Sequence, residues 1–158
     1  MVSIRPVELR DIDDLLDLRA ALFPPAAVAG EDEPTWRGAC RRILLDGLAT
    51  ADIGGVIAHD EDGTPLACAL ARVNRWLPSP TNPTGLTGYI GSWSSTPSPE
   101  RDQLAIDVLR QLVERLSARG VTEIAIHTNE TATDLARQIG FTENLDAVEL
   151  TRVSGANT

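Results

Sequence analysis

Apolar and polar positions along this chain switch repeatedly between a period of two and a helical period, and the switches mark its elements. Val2 to Pro6 reads as a short strand. From Asp11 the spacing becomes helical: Ile12, Leu15, Leu16, Arg19 and Leu22 fall on one side, with Asp11 as the expected N-cap. Pro24-Pro25 ends that helix, and Ala26 to Glu33 is a small-residue, acidic loop. Pro34 suits a first helical position, after which Trp36, Cys40, Ile43, Leu44 and Leu48 share a face. Gly54 to His59 and Leu66 to Val73 are strands joined through Asp60-Glu61-Asp62-Gly63, a hairpin signal. Asn74 to Gly85 holds Pro78, Pro80 and Pro83 and reads as a loop.

The second half alternates. Tyr89 to Ser95 is a strand, and Ser98-Pro99 then reads as N-cap and first position of a long helix. Leu104, Val108, Leu109, Leu112, Val113 and Leu116 line one side of that helix, and Gly120 closes it. Thr122 to His127 is a strand, Thr131 to Ile139 a helix, and Ala147 to Val153 a last strand. The pattern predicts a single domain over residues 1–158, of mixed α/β class. Its central sheet is expected to be mostly antiparallel and flanked by about four helices.

Composition narrows the chemistry. Charged residues make up 23% and apolar residues 42%, an ordinary globular balance. Every basic residue is an arginine, so lysine nucleophiles and Schiff bases are excluded. The net charge of −9, with clusters at Glu31-Asp32-Glu33 and Asp60-Glu61-Asp62, argues against nucleic acid as a partner. It favours a cationic partner or simply a solvated surface. No apolar run suits a membrane span, the first residues do not resemble a secretion signal, and Cys40 and Cys68 have no metal spacing. A cytoplasmic protein is expected.

Asn129, Ala132, Leu135, Gly140 and Phe141, with the strand and helix before them, resemble the GCN5-related N-acetyltransferase superfamily. The likeness runs over nearly the whole chain. Leu18 to Pro25, Gly88-Tyr89-Ile90 and Ser92-Trp93 are similar to aminoglycoside 6′-N-acetyltransferases in particular. This resemblance implies transfer of an acetyl group from acetyl-CoA to an amine in a ternary complex. It implies that backbone at Ser94 and Ser95 holds the pantetheine arm. Helix-start amides near Gln103, Leu104 and Ala105, together with Asn129, would hold the rest. It also makes a homodimer through the last strands a plausible assembly.

The chain departs from that pattern where phosphate would sit. Gln103 stands where a glycine is usual, and Glu100 and Asp102 stand where basic residues are usual. On the sequence, the helix is expected to start at Ser98 or Pro99 and consume the phosphate loop. Arg101 is the one basic candidate there, for a phosphate or for a neighbouring carboxylate. The family's tyrosine is Ala136, and the strand glutamate of the aminoglycoside enzymes is Gly91.

Two groups remain as candidates for proton transfer. His127 ends a strand beside the slot and suits a base, or is a strand-end histidine bonded to a neighbour. Ser92 lies on the strand facing the thioester and suits a donor to the departing sulfur. Glu31, Asp32 and Trp76 are candidates for holding a cationic acceptor, while His59 reads as a solvated strand end. Two functions stay open: an acetyl-CoA-dependent N-acetyltransferase of a small cationic, aminoglycoside-like amine, or a binding module of the same fold with little hold on CoA.

Overall fold

The computed structural model describes residues 1–28, 33–145 and 150–152. Among the described residues five strands form one sheet in the order β1 (Ser3–Pro6), β2 (Ile53–His59), β3 (Pro65–Arg75), β4 (Leu86–Ser95) and β5 (Glu123–Ile126). The first three pairings are antiparallel, and β4 with β5 is parallel. The helices are α1 (Ile12–Ala20), α2 (Pro25–Val28), α3 (Glu33–Thr50), α4 (Arg101–Ala118) and α5 (Glu130–Arg137). The strand expected over 147–153 falls mostly outside the described residues, and Leu150 to Arg152 carry no strand.

Strand alternation sorts the core into two layers. Val56, Ala58, Ala67, Ala69 and Ala71 point to the α4 side, where Leu104, Val108, Leu109, Leu112 and Leu116 cover them. The run of alanines leaves room for the leucine face of α4 to lie close to the strands. Ile57, Cys68 and Leu70 point to the opposite face and pack with Leu15, Leu16 and Leu18 of α1 and Leu44 of α3. Leu18, not Leu22, completes the buried side of α1, and Leu22 is exposed.

Expected and observed elements differ mainly at their ends. The predicted loop from Asn74 shortens because Arg75 pairs with Leu86, and Trp76 N–H then bonds Gly85 C=O at 2.8 Å. Gly85 has φ +69°, and a Cβ there would overlap the Trp76 carbonyl, so glycine is required. The predicted acidic loop after Pro24 opens with the single turn α2.

Asp11 is not the N-cap that the spacing suggested. A 3-10 turn over Leu9–Asp11 precedes α1, and Asp11 accepts the Glu8 N–H at 2.7 Å as the acidic partner of a capping box. Its two oxygens also take Arg5 Nη1 and Nη2 at 2.8 and 2.7 Å. Nor is His59 a solvated strand end. It is buried, with Nε2 3.0 Å from Asp14 Oδ2, so this contact joins β2 to α1.

Burial pushes the Asp11 carboxyl up, but the Arg5 and Glu8 bonds outweigh it and hold the group below the usual carboxylate value. A carboxylate lowered in the folded state stabilises the fold at neutral pH, and that contribution is lost as pH falls through its native titration. Asp11→Asn should therefore cost about 1–3 kcal/mol at pH 7. The gap to the parent chain should close below about pH 4, as urea unfolding at pH 7 and pH 3 will show. A deficit unchanged at pH 3 would mean that the charge is not the cause.

Candidate functional site

The site begins with one inserted residue. Leu70 pairs with Ser92 and Ala71 with Ile90, so Gly91 is an extra residue bulged out of β4. The insertion resets the alternation. Ile90 packs into the core under α4, yet two residues later Ser92 faces the other side, where Tyr89 also points. A Cβ on Gly91 would stand 3.0 Å from the Tyr89 ring, closer than ordinary contact, so a side chain there would push the ring aside.

Just past the bulge the sheet opens. β4 and β5 pair only as far as Ile90 and Ile126, while β4 continues to Ser95. Thr96 N–H bonds Leu66 on β3 at 2.7 Å. Main-chain groups alternate sides along an antiparallel strand, so those of Trp93 and Ser95 face the edge that β5 has left. The main chain of Ser94 therefore faces β3. The Ser94 hydroxyl is also engaged, 3.6 Å from Cys68 Sγ, whose thiol burial pushes up to about 11. Ser95, and also Trp93, which the pattern did not single out, thus turn main-chain groups to the open edge, while Ser94 turns its main chain to β3.

The helix start differs from expectation in the same favourable sense. Ser98 and Pro99 lie in a turn, Glu100 sits at φ −94° and ψ 4°, and α4 begins only at Arg101. The residue before a proline resists helical geometry, which keeps Ser98 out of the helix. Ser98 does not cap it either, since its Oγ is buried without a hydrogen-bond partner. Arg101 N–H bonds Ser98 C=O at 3.2 Å and Leu104 N–H bonds Glu100 C=O at 2.9 Å. Among the described residues the N–H groups of Asp102 and Gln103 have no acceptor, and they stand where a helix presents its positive end.

Leu104 is thus withdrawn from the expected set of amides. Ala105 is the fifth helical residue, past the amides that a helix leaves free, and its carbonyl accepts Trp93 Nε1–H at 2.8 Å. The Gln103 side chain turns along the helix and donates to Asp107 Oδ1 at 2.9 Å. Arg101 approaches Asp102 at 3.9 Å and is half exposed. Asn129 caps α5, its Oδ1 accepting the Ala132 N–H at 2.8 Å, which commits that atom locally.

On the α1 and α3 side of the bulge lies a cavity of about 700 Å³. Leu70, Arg72, Tyr89, Gly91 and Ser92 form its sheet wall, and Phe23 from the turn after α1 and Trp36, Cys40 and Ile43 from α3 line the other side. Phe23 and Trp36 meet edge to face at 6.0 Å, and Arg19 stacks over Phe23 at 5.5 Å. Arg19 Nη1 also donates to the bulged Gly91 carbonyl at 3.3 Å. A charged residue on the apolar side of α1 was the sequence signal for this contact.

Two of the cavity's lining residues carry hydroxyls, Tyr89 and Ser92. Tyr89 Oη and His127 Nδ1 are 2.9 Å apart, with the rings edge to face at 5.3 Å, so the strand-end histidine has the tyrosine as a partner. Ser92 is buried, lines the cavity, and its Oγ has no hydrogen-bond partner among the described residues. A buried hydroxyl without a partner is costly, so its position invites a ligand. Trp76 is 75% exposed beyond the end of β3 and does not line the cavity. Glu31 and Asp32 lie outside the described residues.

No protein-family model and no curated protein matches the chain. Solved structures do. A predicted acetyltransferase with acetyl-CoA from Clostridium acetobutylicum matches at TM-score 0.78 and 22% identity, over 96% of each chain. A GCN5-related N-acetyltransferase from Ralstonia eutropha matches at 0.76 and 23%, over 96% of this chain and 99% of the other. An aminoglycoside 6′-N-acetyltransferase from Acinetobacter baumannii matches at 0.72 and 18%, over 98% and 100%. At these identities the likeness is one of fold, and it spans nearly the whole of each neighbour.

Proposed function

We propose that this chain, which has the fold of the GCN5-related N-acetyltransferases, transfers an acetyl group from acetyl-CoA to the amine of a small acceptor. The observation that carries the reading is the edge of β4 left open past the Gly91 bulge. The cavity with its orphan Ser92 hydroxyl borders that bulge, and the free amides at the start of α4 follow in the chain beyond the end of the same strand. Trp93 and Ser95 would hold the pantetheine arm through backbone, and Asp102 and Gln103 amides the diphosphate. Acetyl-CoA supplies a thioester carbon to which the amine nitrogen bonds as the carbon–sulfur bond breaks.

The chain's own groups handle the protons. The Tyr89 hydroxyl, paired with His127, relays the proton leaving the amine to the imidazole. Ser92 stands on the cavity wall as the hydroxyl that donates toward the departing sulfur. Arg19 and Arg72 near the bulge disfavour an ammonium and so favour the neutral, attacking amine.

An aminoglycoside-like polycation was the acceptor suggested by resemblance. The cavity gives it little support, since no carboxylate lines it among the described residues. The reading as a binding module with little hold on CoA draws on Glu100 and Asp102, whose charges oppose a diphosphate at the helix start. Both are exposed, so each weakens rather than abolishes the site.

Two results test the proposal. Acetyl-CoA at 100 times its Kd should stabilise the fold by about 2.7 kcal/mol, seen as a thermal shift, and CoA should be released when a primary amine is added. No shift at millimolar acetyl-CoA would remove the transferase reading. Glu100→Gln with Asp102→Asn should tighten acetyl-CoA about tenfold by calorimetry, because two repulsions at a helix N-terminus disappear. The same pair should cost the helix about 0.3–1 kcal/mol per charge, which separates affinity from stability.

A further inference from the structure

We infer that the acceptor is an amine with an apolar body and a neighbouring carboxylate, of the chemical class of hydrophobic α-amino acids and short peptides. The inference rests on the acetyl-transfer reading for the identity of the reaction, but on the cavity alone for the class of ligand. The lining is overwhelmingly apolar, with Phe23, Trp36, Ile43 and Leu70 contributing large side chains. Two of them leave apolar surface uncovered beside the cavity: Phe23, in the turn after α1, is 41% exposed and Ile43 on α3 is 53% exposed. About 700 Å³ is the ordinary size for a site that takes a small molecule.

Charge selects further. The cavity's two charged side chains are Arg19 and Arg72, and among the described residues neither has a carboxylate partner. Arg19 binds the Gly91 carbonyl through one Nη, which leaves other guanidinium donors, and Arg72 pairs in register with Tyr89 across β3 and β4. Both cations therefore flank the reacting end of the cavity, beside Tyr89 and Ser92. A guanidinium takes a carboxylate in a charge-assisted, often bidentate bond. An α-amino acid places its amine one carbon from such a carboxylate, so anchoring the acid delivers the nitrogen to the bulge. Among the described residues a polyamine would meet two like charges there and an apolar wall.

The test compares ligands on the full chain, so it does not depend on a variant folding. Binding of L-phenylalanine, L-tryptophan, phenethylamine and spermidine is measured by calorimetry, and CoA release from acetyl-CoA is followed with each. The carboxylated amines should bind at least about tenfold more tightly than phenethylamine, and transfer should follow the same order. Arg72→Gln should remove most of that preference, with Arg19→Gln as the second variant. Equal or better binding of phenethylamine or spermidine overturns the inference, as does a preference that survives both substitutions or an absence of binding by every amine. Should acetyl-CoA neither bind nor react while the carboxylate preference holds, the acetyl-transfer reading falls and the ligand class stands. Transfer to polyamines without carboxylate preference has the opposite meaning.

Discussion

Replacing His127 by alanine should lower kcat for acetyl transfer about a hundredfold, with the Kd for acetyl-CoA changed by less than about twofold. The histidine sits outside the opened edge of β4 and the start of α4, so cofactor binding does not draw on it. Tyr89→Phe breaks the 2.9 Å contact to His127 and should produce a similar loss. The double variant should be little slower than either single one, because the two groups act as one relay. Steady-state kinetics with acetyl-CoA titrations give both quantities. Additive losses, or a rise in acetyl-CoA Kd matching the fall in rate, would assign the pair to binding instead of proton transfer.

The second large effect concerns stability. Leu109→Ala should cost about 2–5 kcal/mol and lower Tm by roughly 5–15 °C. Leu109 is fully buried where α4 lies over Ala67, Ala69 and Ala71, and those short side chains cannot reach into the space left behind. Such a loss is a large share of the ~5–15 kcal/mol of a typical domain. Urea unfolding measures it. A cost under about 1 kcal/mol would show that the helix settles onto the alanines, and that the layer is softer than its packing suggests.

Much of the architecture was legible because both periodicities in this chain are strong. The leucine face of α4 and the hairpin around Asp60 stand in the structure as their spacing implies. Asn129 and Gly140 show why a motif reads well: the asparagine caps α5, and Gly140 takes φ +98°, which other residues avoid. The site was less legible. The position of the bulge depends on pairing between β3 and β4, so the re-aiming of Ser92 cannot be read from one strand. The start of α4 depended on the turn through Ser98-Pro99-Glu100, where capping residues suggested an earlier start than the backbone adopts. His59 and Asp14 are 45 positions apart, and their contact is made by the fold. Trp76 is a candidate because an aromatic face can hold a cation, and its place beside the proline-rich loop points to the surface, where the structure has it, outside the cavity lining.

The account depends most on amides that β5 and the turn before α4 leave without acceptors. An amide-resolved NMR titration with acetyl-CoA reports on them directly. Shifts should concentrate at Trp93, Ser95, Asp102 and Gln103, with smaller changes at Gly91 and Ser92 where the acetyl end would lie. A spectrum unmoved at millimolar acetyl-CoA, or shifts confined to residues away from β4 and α4, would contradict it.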